Sequence, residues 1–309
     1  MKTFLSLTFA ITLLIAQSAV GQDYVFRVLA NKGSNQVKKA GSSEASSLKT
    51  GSKLTSGDQI IASAGAYIGL VHRTGKTMEI RTPGTHNVND LEGKVSKGTA
   101  GVAGRYMNFV MNKMNEGDGD VNKDYKRNLR ATGAVERAAG SSSINLLLKE
   151  VKNTNRVYGD NVIIRWETGA EVEGYVVVLQ DVFGKDLLTL EATDPMVALD
   201  LTQDAVLKEK HIMVKVSAKD NPKLSSRLYG LQRMAPEESQ SIEEELNSLT
   251  SELEGESALN QIVIASFFEE KNLYVDALTA YEKAVAMSPE VEDFDMLYSE
   301  FKLANGLGN

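Results

Sequence analysis

The spacing of hydrophobic positions predicts two strand-rich stretches followed by a helical one. Between residues 48 and 80, short alternating apolar runs are separated by Gly-Asp and Thr-Gly-Lys pairs, and residues 24–29 form an earlier apolar run. Such alternation predicts short antiparallel strands that are joined by tight turns. It places five side chains inside a small sheet, namely Ile60, Ile68, Leu70, Met78 and Ile80.

Within residues 23–96 the spacing of seven positions resembles the FecR-like domain of bacterial envelope proteins. These positions are Gly51, Leu54, Gly57, Asp58, Ile60, Leu70 and Gly75. The resemblance implies a small all-β domain that contacts partners outside the cytoplasm. The signalling role of FecR-like proteins depends on a cytoplasmic segment and a membrane span, neither of which we find in the sequence, so only the partner contact is carried over.

Residues 74–77, Thr-Gly-Lys-Thr, invite comparison with a phosphate-binding loop. That loop needs a glycine five residues before Gly75, where this chain has Leu70. It also needs a following helix, whereas residues 78–80 are strand-like. The segment is therefore interpreted as a hairpin turn.

Residues 97–141 form a predicted helical and loop connector. Five apolar residues recur at helical spacing and predict a helix that packs against the first sheet. They are Tyr106, Met107, Val110, Met111 and Met114. A methionine-rich face also suits an adaptable binding surface, but we interpret it as core.

The connector also contains an acidic loop whose oxygen-bearing residues alternate as in a calcium site. The candidate ligands are Asp118, Asp120, Asn122 and Asp124. Lys123 stands where such loops have glycine, and Leu129 stands where they have a bidentate glutamate. We therefore interpret the segment as a solvated loop, with calcium binding as the alternative.

Residues 142–234 contain seven short apolar runs at regular spacing, which predict a two-sheet β-sandwich. The runs are residues 144–148, 162–166, 175–179, 187–190, 196–199, 211–216 and 227–231. Trp166 and Tyr175 resemble the pattern of fibronectin type III and immunoglobulin-like domains, although His211 and Ile212 stand where the sixth strand usually carries a tyrosine. Trp166 is expected to anchor the core.

Residues 237–309 are predicted to be helical. Ile242, Leu246 and Leu249 share one face of a first helix that Ser239 or Ser241 can cap. The next two helices resemble a tetratricopeptide repeat at Ile264, Ala265, Phe268, Ala277, Tyr281, Ala284 and Pro289, with Gln261 in place of the usual aromatic. A last helix is predicted at residues 291–304, with Ser288 as its cap.

The repeat resemblance implies a groove that binds a protein or peptide partner. One repeat cannot bury its own apolar face, so either the flanking helices or a partner must cover it. The candidate partner-binding residues are Ile264, Phe268, Tyr274, Tyr281 and Tyr298.

The first 21 residues have the features of a cleavable signal peptide. Lys2 precedes an apolar run at residues 9–16, and small residues Ala19 and Gly21 predict cleavage after Gly21. We find no later run that is long and apolar enough for a membrane span, and the chain has no cysteine for lipoprotein processing. The expected location is periplasmic or secreted.

The sequence offers little chemistry. A net charge of −7 argues against binding nucleic acid or anionic lipid. His72, His86 and His211 share no spacing that suits a metal, and no Gly-x-Ser-x-Gly nucleophile motif occurs. We therefore expect no catalytic residue and no cofactor. A pair of carboxylates assembled only in the fold is the one catalytic arrangement left open.

Together these patterns predict a multidomain α+β protein with a small N-terminal all-β domain, a central β-sandwich and a C-terminal α-helical hairpin repeat. The predicted function is a non-enzymatic scaffold or adaptor of the cell envelope that contacts an envelope protein or peptide. The alternative is a module that binds cell-wall glycan, such as peptidoglycan, or calcium.

Overall fold

The computed structural model describes residues 24–95, 101–116, 144–149, 155–253 and 255–307. Within them the fold is mixed α+β, with several antiparallel sheets and six helices that lie mostly in the C-terminal part. The predicted signal peptide and the four candidate calcium ligands lie outside the described residues. No helix in these ranges has the length and hydrophobicity needed to cross a membrane.

Eight short strands and one short helix make up the N-terminal part. The strands are β1 (Phe26–Lys32), β2 (Gln36–Lys38), β3 (Ala45–Ser47), β4 (Lys53–Leu54), β5 (Gln59–Ala62), β6 (Tyr67–His72), β7 (Thr77–Ile80) and β8 (Gly84–Asn87), and they precede α1 (Val88–Glu92). They form two four-stranded antiparallel sheets with strand orders β4-β1-β6-β7 and β3-β2-β5-β8. Residue alternation therefore predicted the strand type correctly, although three of the strands have three residues or fewer.

Strand β6 is buried along its whole length. Ile68 and Leu70 point into the core between the two N-terminal sheets, where Ile60 and Ile80 also lie. Tyr67 and Val71 point the other way, into a second apolar cluster that contains the C-terminal helices. The alternating pattern predicted the first face of this strand. Of the five predicted core residues, Met78 alone is only half-buried.

Asp58 organises the turn between β4 and β5. Its carboxylate accepts hydrogen bonds from Lys39 Nζ at 2.8 Å, Ala40 N at 2.9 Å and Thr55 N at 2.9 Å. The preceding Gly57 has φ +87°, a left-handed conformation that favours glycine. Burial alone would raise the pKa of Asp58, but these hydrogen bonds hold it below its usual value. The Gly-Asp pair therefore has a structural role in this turn.

The central part contains eight strands. They are β9 (Ile144–Leu146), β10 (Asn155–Val157), β11 (Asn161–Thr168), β12 (Tyr175–Gln180), β13 (Asp186–Ala192), β14 (Met196–Asp200), β15 (His211–Ala218) and β16 (Tyr229–Arg233). Every predicted apolar run overlaps one of these strands. The eighth strand, β10, was not predicted, and it pairs in parallel with β16.

Two central sheets, with strand orders β10-β16-β15-β12-β13 and β14-β11-β9, share one apolar cluster. Trp166 of β11 lies in this cluster with 1% of its surface exposed. Its ring meets the ring of Tyr175 edge-on, with centroids 4.9 Å apart. Trp166 is therefore a core anchor, as predicted, and it offers no exposed aromatic surface on which a sugar ring could stack.

Five longer helices complete the fold. They are α2 (Val102–Glu116), α3 (Pro236–Glu252), α4 (Ala258–Glu270), α5 (Tyr274–Met287) and α6 (Glu292–Ala304). Two predicted caps are wrong. Helix α3 starts at Pro236, which favours a first helical position, so Ser239 and Ser241 lie inside it. Ser288 ends α5 rather than starting α6, and α6 begins after Val291.

Helix α2 packs mainly on α3 and α4, and its backbone at Ala103 and Gly104 lies close to the turn at Gly75 of the first sheet. Met107 and Met111 are buried, as expected for core residues, while the side chain of Met114 lies outside the described residues. The first amides of α2, those of Val102 and Ala103, donate to the Glu252 carboxylate at 2.9 Å each. A carboxylate at this position stabilises the helix because the N-terminal end carries a partial positive charge.

Candidate functional site

The helix layer, which we define as α4, α5 and α6, contains the predicted partner-binding residues. It packs against the N-terminal sheets on one side and the central sheets on the other. The side chains that make these contacts decide which parts of the layer remain available to a partner.

Helix α5 faces the central sheets with three polar side chains spaced three residues apart. Asp276 accepts hydrogen bonds from Tyr158 N at 3.0 Å and Gly159 N at 2.7 Å. Thr279 accepts one from Ile163 N at 2.9 Å. Because residues at this spacing share one helical face, all three side chains, including that of Glu282, reach the segment from β10 to β11.

The helix covers a stretch of β11 that has, among the described strands, a neighbour on only one side. Strand β14 pairs with β11 from Asn161 to Arg165, whereas β9 pairs with it only from Trp166 to Thr168. The open side would leave backbone groups unsatisfied, and sheet edges of this kind are commonly covered by a helix or loop. Helix α5 takes that position, and Thr279 supplies the acceptor.

Asp276 is almost entirely inaccessible to solvent, with 5% of its surface exposed. Burial raises the pKa of its carboxyl group to about 6, although the hydrogen bonds from Tyr158 and Gly159 act in the opposite direction. The contact between α5 and the β10–β11 turn therefore contains a group that titrates near neutral pH.

Glu282 forms an ion pair in the contact between α5 and β11. Arg165 Nη2 donates to Glu282 Oε2 at 2.8 Å, and Arg165 Nε lies 2.5 Å from Glu282 Oε1. The Tyr298 hydroxyl also donates to Glu282. Burial alone would lower the pKa of Arg165, but the hydrogen bond to Glu282 raises it. Strand β11 and helices α5 and α6 thus meet at a single carboxylate.

The opposite side of the helix layer bonds to the N-terminal sheets. Asp293 of α6 accepts a hydrogen bond from Asn31 N at 3.0 Å and lies 3.5 Å from the Thr50 hydroxyl. The Thr77 hydroxyl donates to Asn260 of α4. These residues are far apart in sequence, so the bonds fix the position of the layer against β1 and β7.

Close packing accompanies these bonds. A Cβ atom at Gly69 of β6 would lie 2.4 Å from Leu259 Cδ1, well inside van der Waals contact. Tyr67 meets Phe294 of α6 edge-on, with ring centroids 5.7 Å apart. The missing side chain at Gly69 therefore lets α4 approach the sheet closely.

The five predicted partner-binding residues divide into two groups. Phe268, Tyr281 and Tyr298 are buried within the chain. The ring of Phe268 lies 5.9 Å from that of Tyr158, and Tyr281 stacks on Tyr298 at the same centroid distance. Ile264 and Tyr274 keep part of their surface exposed. A partner that binds the helix layer can reach these two without displacing internal contacts.

The three histidines occupy separate places. His72 is buried, its Nδ1 lies 2.7 Å from the Thr74 hydroxyl, and burial lowers its pKa. His86 Nε2 lies 3.0 Å from Thr82 O, and His211 opens β15. Across the described ranges no group of three or more histidine, aspartate or glutamate side chains is arranged to hold a metal ion.

Sequence reasoning did not identify the carboxylates that join the parts of the chain. Asp276, Glu282 and Asp293 have the appearance of ordinary helix-surface acids in the sequence. The only local signal is the spacing of Asp276, Thr279 and Glu282, a polar stripe on a helix that is otherwise largely apolar. The apolar runs of the sequence also gave no sign that Phe183, in the turn between β12 and β13, is exposed.

No model of a known protein family matches this chain, and no curated protein is significantly similar to it.

Proposed function

We propose that this chain is a non-enzymatic scaffold or adaptor of the bacterial cell envelope, in which the helix layer holds two β-rich parts in fixed relation for binding an envelope protein or peptide. The observation that carries the proposal is the double attachment of the layer. Its α5 side chains bond to β11, while α4 and α6 side chains bond to β1 and β7.

This arrangement suits a binding scaffold because rigid parts lose little conformational entropy when a partner binds. The buried polar contacts at both faces of the layer have specific geometry, which resists sliding between the parts. The FecR-like resemblance of residues 23–96 and the tetratricopeptide-like resemblance of residues 237–309 both favour protein–protein contact. The sequence of residues 1–21 favours a location outside the cytoplasm.

The exposed parts of Ile264 and Tyr274 form the proposed contact point on the helix layer. Tyr274 sits near the start of α5, where Lys149 Nζ lies 3.7 Å from its ring centroid and its hydroxyl donates to Asn272. Aromatic side chains with a polar tip are common anchors of protein interfaces. The rings of Tyr274 and Tyr281 both lie against that of Phe301, with centroids 6.4 Å and 5.0 Å away.

Site-specific photo-crosslinking in living cells tests the proposal. A photoreactive amino acid replaces Tyr274 in one variant and Asp204, an exposed residue in the loop between β14 and β15, in the control. The proposal predicts a discrete protein adduct in the envelope fraction from position 274 and none from position 204. Equal labelling at both positions, or an adduct confined to cytoplasmic proteins, would contradict it.

A further inference from the structure

Strand β13 is a sheet edge whose only protection is a register shift beside Leu187 and the acidic side chains of Asp186 and Glu191. Among the described strands it pairs only with β12 and ends the order β10-β16-β15-β12-β13. It is seven residues long, Asp-Leu-Leu-Thr-Leu-Glu-Ala, and has no proline, glycine or lysine. Natural proteins usually protect edges by shortening them, bending them or placing lysine or proline there. Within the part of the chain that the structure describes, the outer side of β13 is therefore open to another strand.

The opposite edge of the same sheet differs. Strand β10 has three residues, and the α5 side chain of Asp276 binds the turn that follows it. Among the described residues, a helix thus covers one edge of this sheet, whereas the longer edge is open.

We propose that β13 pairs antiparallel with β13 of a second copy of this chain, giving a two-fold dimer that is centred on Thr189. The side-chain pattern of β13 indicates that the pairing strand is β13 of a second copy. In antiparallel pairing, directly opposed residues lie on the same face of the sheet, and the best register is the one that opposes compatible side chains. Centring on Thr189 places Thr189 opposite itself and Leu188 opposite Leu190 of the second copy.

Register with β12 shows which face each of these residues occupies. Leu188 pairs with Leu179 and Leu190 pairs with Val177, and both partners are buried in the central core. Leu188 and Leu190 are only half-buried, so a second β13 would extend their apolar face across the dimer. Thr189 is exposed on the other face, where a threonine pair is a favourable cross-strand contact.

Moving the two-fold axis by one residue, which moves the register by two, makes fewer leucine pairs. Centring on Leu188 places Asp186 opposite Leu190, and centring on Leu190 places Glu191 opposite Thr189. Each of these registers opposes one leucine to itself, whereas centring on Thr189 makes two Leu188–Leu190 pairs and opposes Leu187 to Glu191, so the pattern favours the register centred on Thr189. It is also self-complementary, as a two-fold interface requires.

The ends of the strand support the same partner. The turn before β13 carries Phe183, which is 92% exposed, and Val182, which is 58% exposed. Asp181 Oδ1 holds this turn by accepting hydrogen bonds from Phe183 N at 2.8 Å and Lys185 N at 2.9 Å. We call this turn, with Val182 and Phe183, the tip. Its hydrogen bonds to Asp181 hold it in place before any partner binds.

An open hollow of about 370 Å³ lies at the other end of β13. Its walls include Ala192, Thr193, Asp194, Met196 and Val197. In the register centred on Thr189, Asp186 lies opposite Ala192, so the turn that carries Phe183 adjoins the end of the other β13 at which the hollow lies. Each tip thus lies near the hollow of the second copy.

The hollow carries more acidic than basic side chains, and Glu191 in it pairs with Lys219 at 2.5 Å. Glu173, Glu191 and Asp194 contribute carboxylates to it, with Lys219 as its only lysine among the lining residues. The tip brings Lys185, which would lie opposite Thr193 and beside Asp194 of the second copy. Because the dimer is two-fold, each copy contributes its tip, its β13 edge and its hollow to the interface.

Cross-linking through Thr189 is the sharpest test because the chain has no cysteine. In the full chain, Thr189→Cys places two thiols directly opposite each other at the dimer axis, at a separation compatible with a disulfide. The matched control is Gln203→Cys, at an exposed loop residue outside the proposed interface. We expect a disulfide-linked dimer from T189C under mild oxidation and little from Q203C.

Charge substitutions then separate dimer formation from misfolding. T189K and T189D each oppose like charges at the axis, and each is expected to raise the dimer dissociation constant about tenfold or more in sedimentation experiments. Mixing the two variants should restore association, which unfolded protein cannot do. F183S should also weaken association, whereas Q203K should not.

Three results would overturn the proposal. They are a full chain that stays monomeric at every concentration tested, equal cross-linking of T189C and Q203C, and mixed T189K and T189D that associate no better than either alone. The last two would show that copies do not meet at β13.

Discussion

Arg165 and Glu282 form an ion pair that joins strand β11 of the central sheets to helix α5. Glu282 is 8% exposed, and the Arg165 side chain is 28% exposed. Breaking a buried pair by removing one charge costs about 3–5 kcal/mol, because the other charge stays buried without a partner. This contact therefore contributes substantially to holding the helix layer in place.

Glu282→Gln is expected to lower the free energy of unfolding by about 2–4 kcal/mol, because it removes the charge while keeping the side-chain shape. Urea denaturation followed by circular dichroism measures the change. The control is Glu238→Gln, which breaks the exposed contact between Arg156 and Glu238 and should cost less than about 1 kcal/mol. Equal losses in the two variants would show that the Arg165–Glu282 pair is no stronger than a surface contact.

Asp276 makes the stability of the contact between α5 and the β10–β11 turn depend on pH, and the sign of this dependence is defined. Its pKa is raised from 3.8 to about 6 by burial, so the folded state binds more protons than the unfolded state between these pH values. The stability that proton uptake contributes is complete below about pH 3.8 and is lost as pH rises through about 6. Over this interval the contribution changes by about 3 kcal/mol.

Asp276→Asn removes this titration. The difference in unfolding free energy between the natural chain and the variant should therefore fall as pH rises from 4 to 7, and it should level off above that range. Parallel urea titrations of both proteins at several pH values measure it. A difference that is constant, or that grows with pH, would show that Asp276 does not titrate as its surroundings indicate.

The pH dependence of stability that Asp58 contributes has the opposite sign to that of Asp276, because the folded-state pKa of Asp58 lies below 3.8. It contributes stability above pH 3.8, and that contribution is lost as pH falls through the folded-state value. Asp58→Asn should lower the free energy of unfolding by about 1–3 kcal/mol at neutral pH, since one oxygen acceptor and the charge for Lys39 are lost.

The cost of Asp58→Asn should shrink as the solution is acidified, and thermal unfolding from pH 7 to pH 3 measures it. Asp204→Asn changes an exposed carboxylate in the same way and serves as the control. A cost that stayed the same at pH 3 would mean that the ionised form of Asp58 is not what stabilises the turn.

Gly69→Ala is expected to destabilise the chain by about 1–3 kcal/mol, because the added methyl group would overlap Leu259. The matched control is Gly230→Ala in β16, where the nearest atom to an added Cβ is Met213 Sδ at 3.7 Å. Combining G69A with Leu259→Ala should cost less than the sum of the single changes, since the overlap disappears. Additive costs in thermal unfolding would contradict close packing at this site.

Local patterns predicted the strands well because alternation and turn residues act over a few positions. All seven apolar runs of the central part became strands, and Trp166 lies in the core as expected. Strand β10 was missed because Asn155, Arg156 and Val157 show no alternation. It exists through its parallel pairing with β16, which is distant in sequence.

The contacts of the helix layer could not be predicted in the same way. Asp276 is 118 residues from Tyr158, and Asp293 is 262 residues from Asn31. No local periodicity reports a partner at that distance. The burial of both faces of β6 has the same cause, since its second face is covered by helices that follow much later in the chain.

The central claim is that the helix layer couples the N-terminal sheets to the central sheets, and the response of both parts to Glu282→Gln tests it most directly. Trp166 is the only tryptophan and reports on the central sheets by fluorescence, while amide hydrogen exchange of β6 reports on the N-terminal sheets. We predict that in urea both probes of the natural chain have the same midpoint, and that the substitution lowers the two midpoints equally. A lowered midpoint for Trp166 with an unchanged midpoint for β6 would contradict this account.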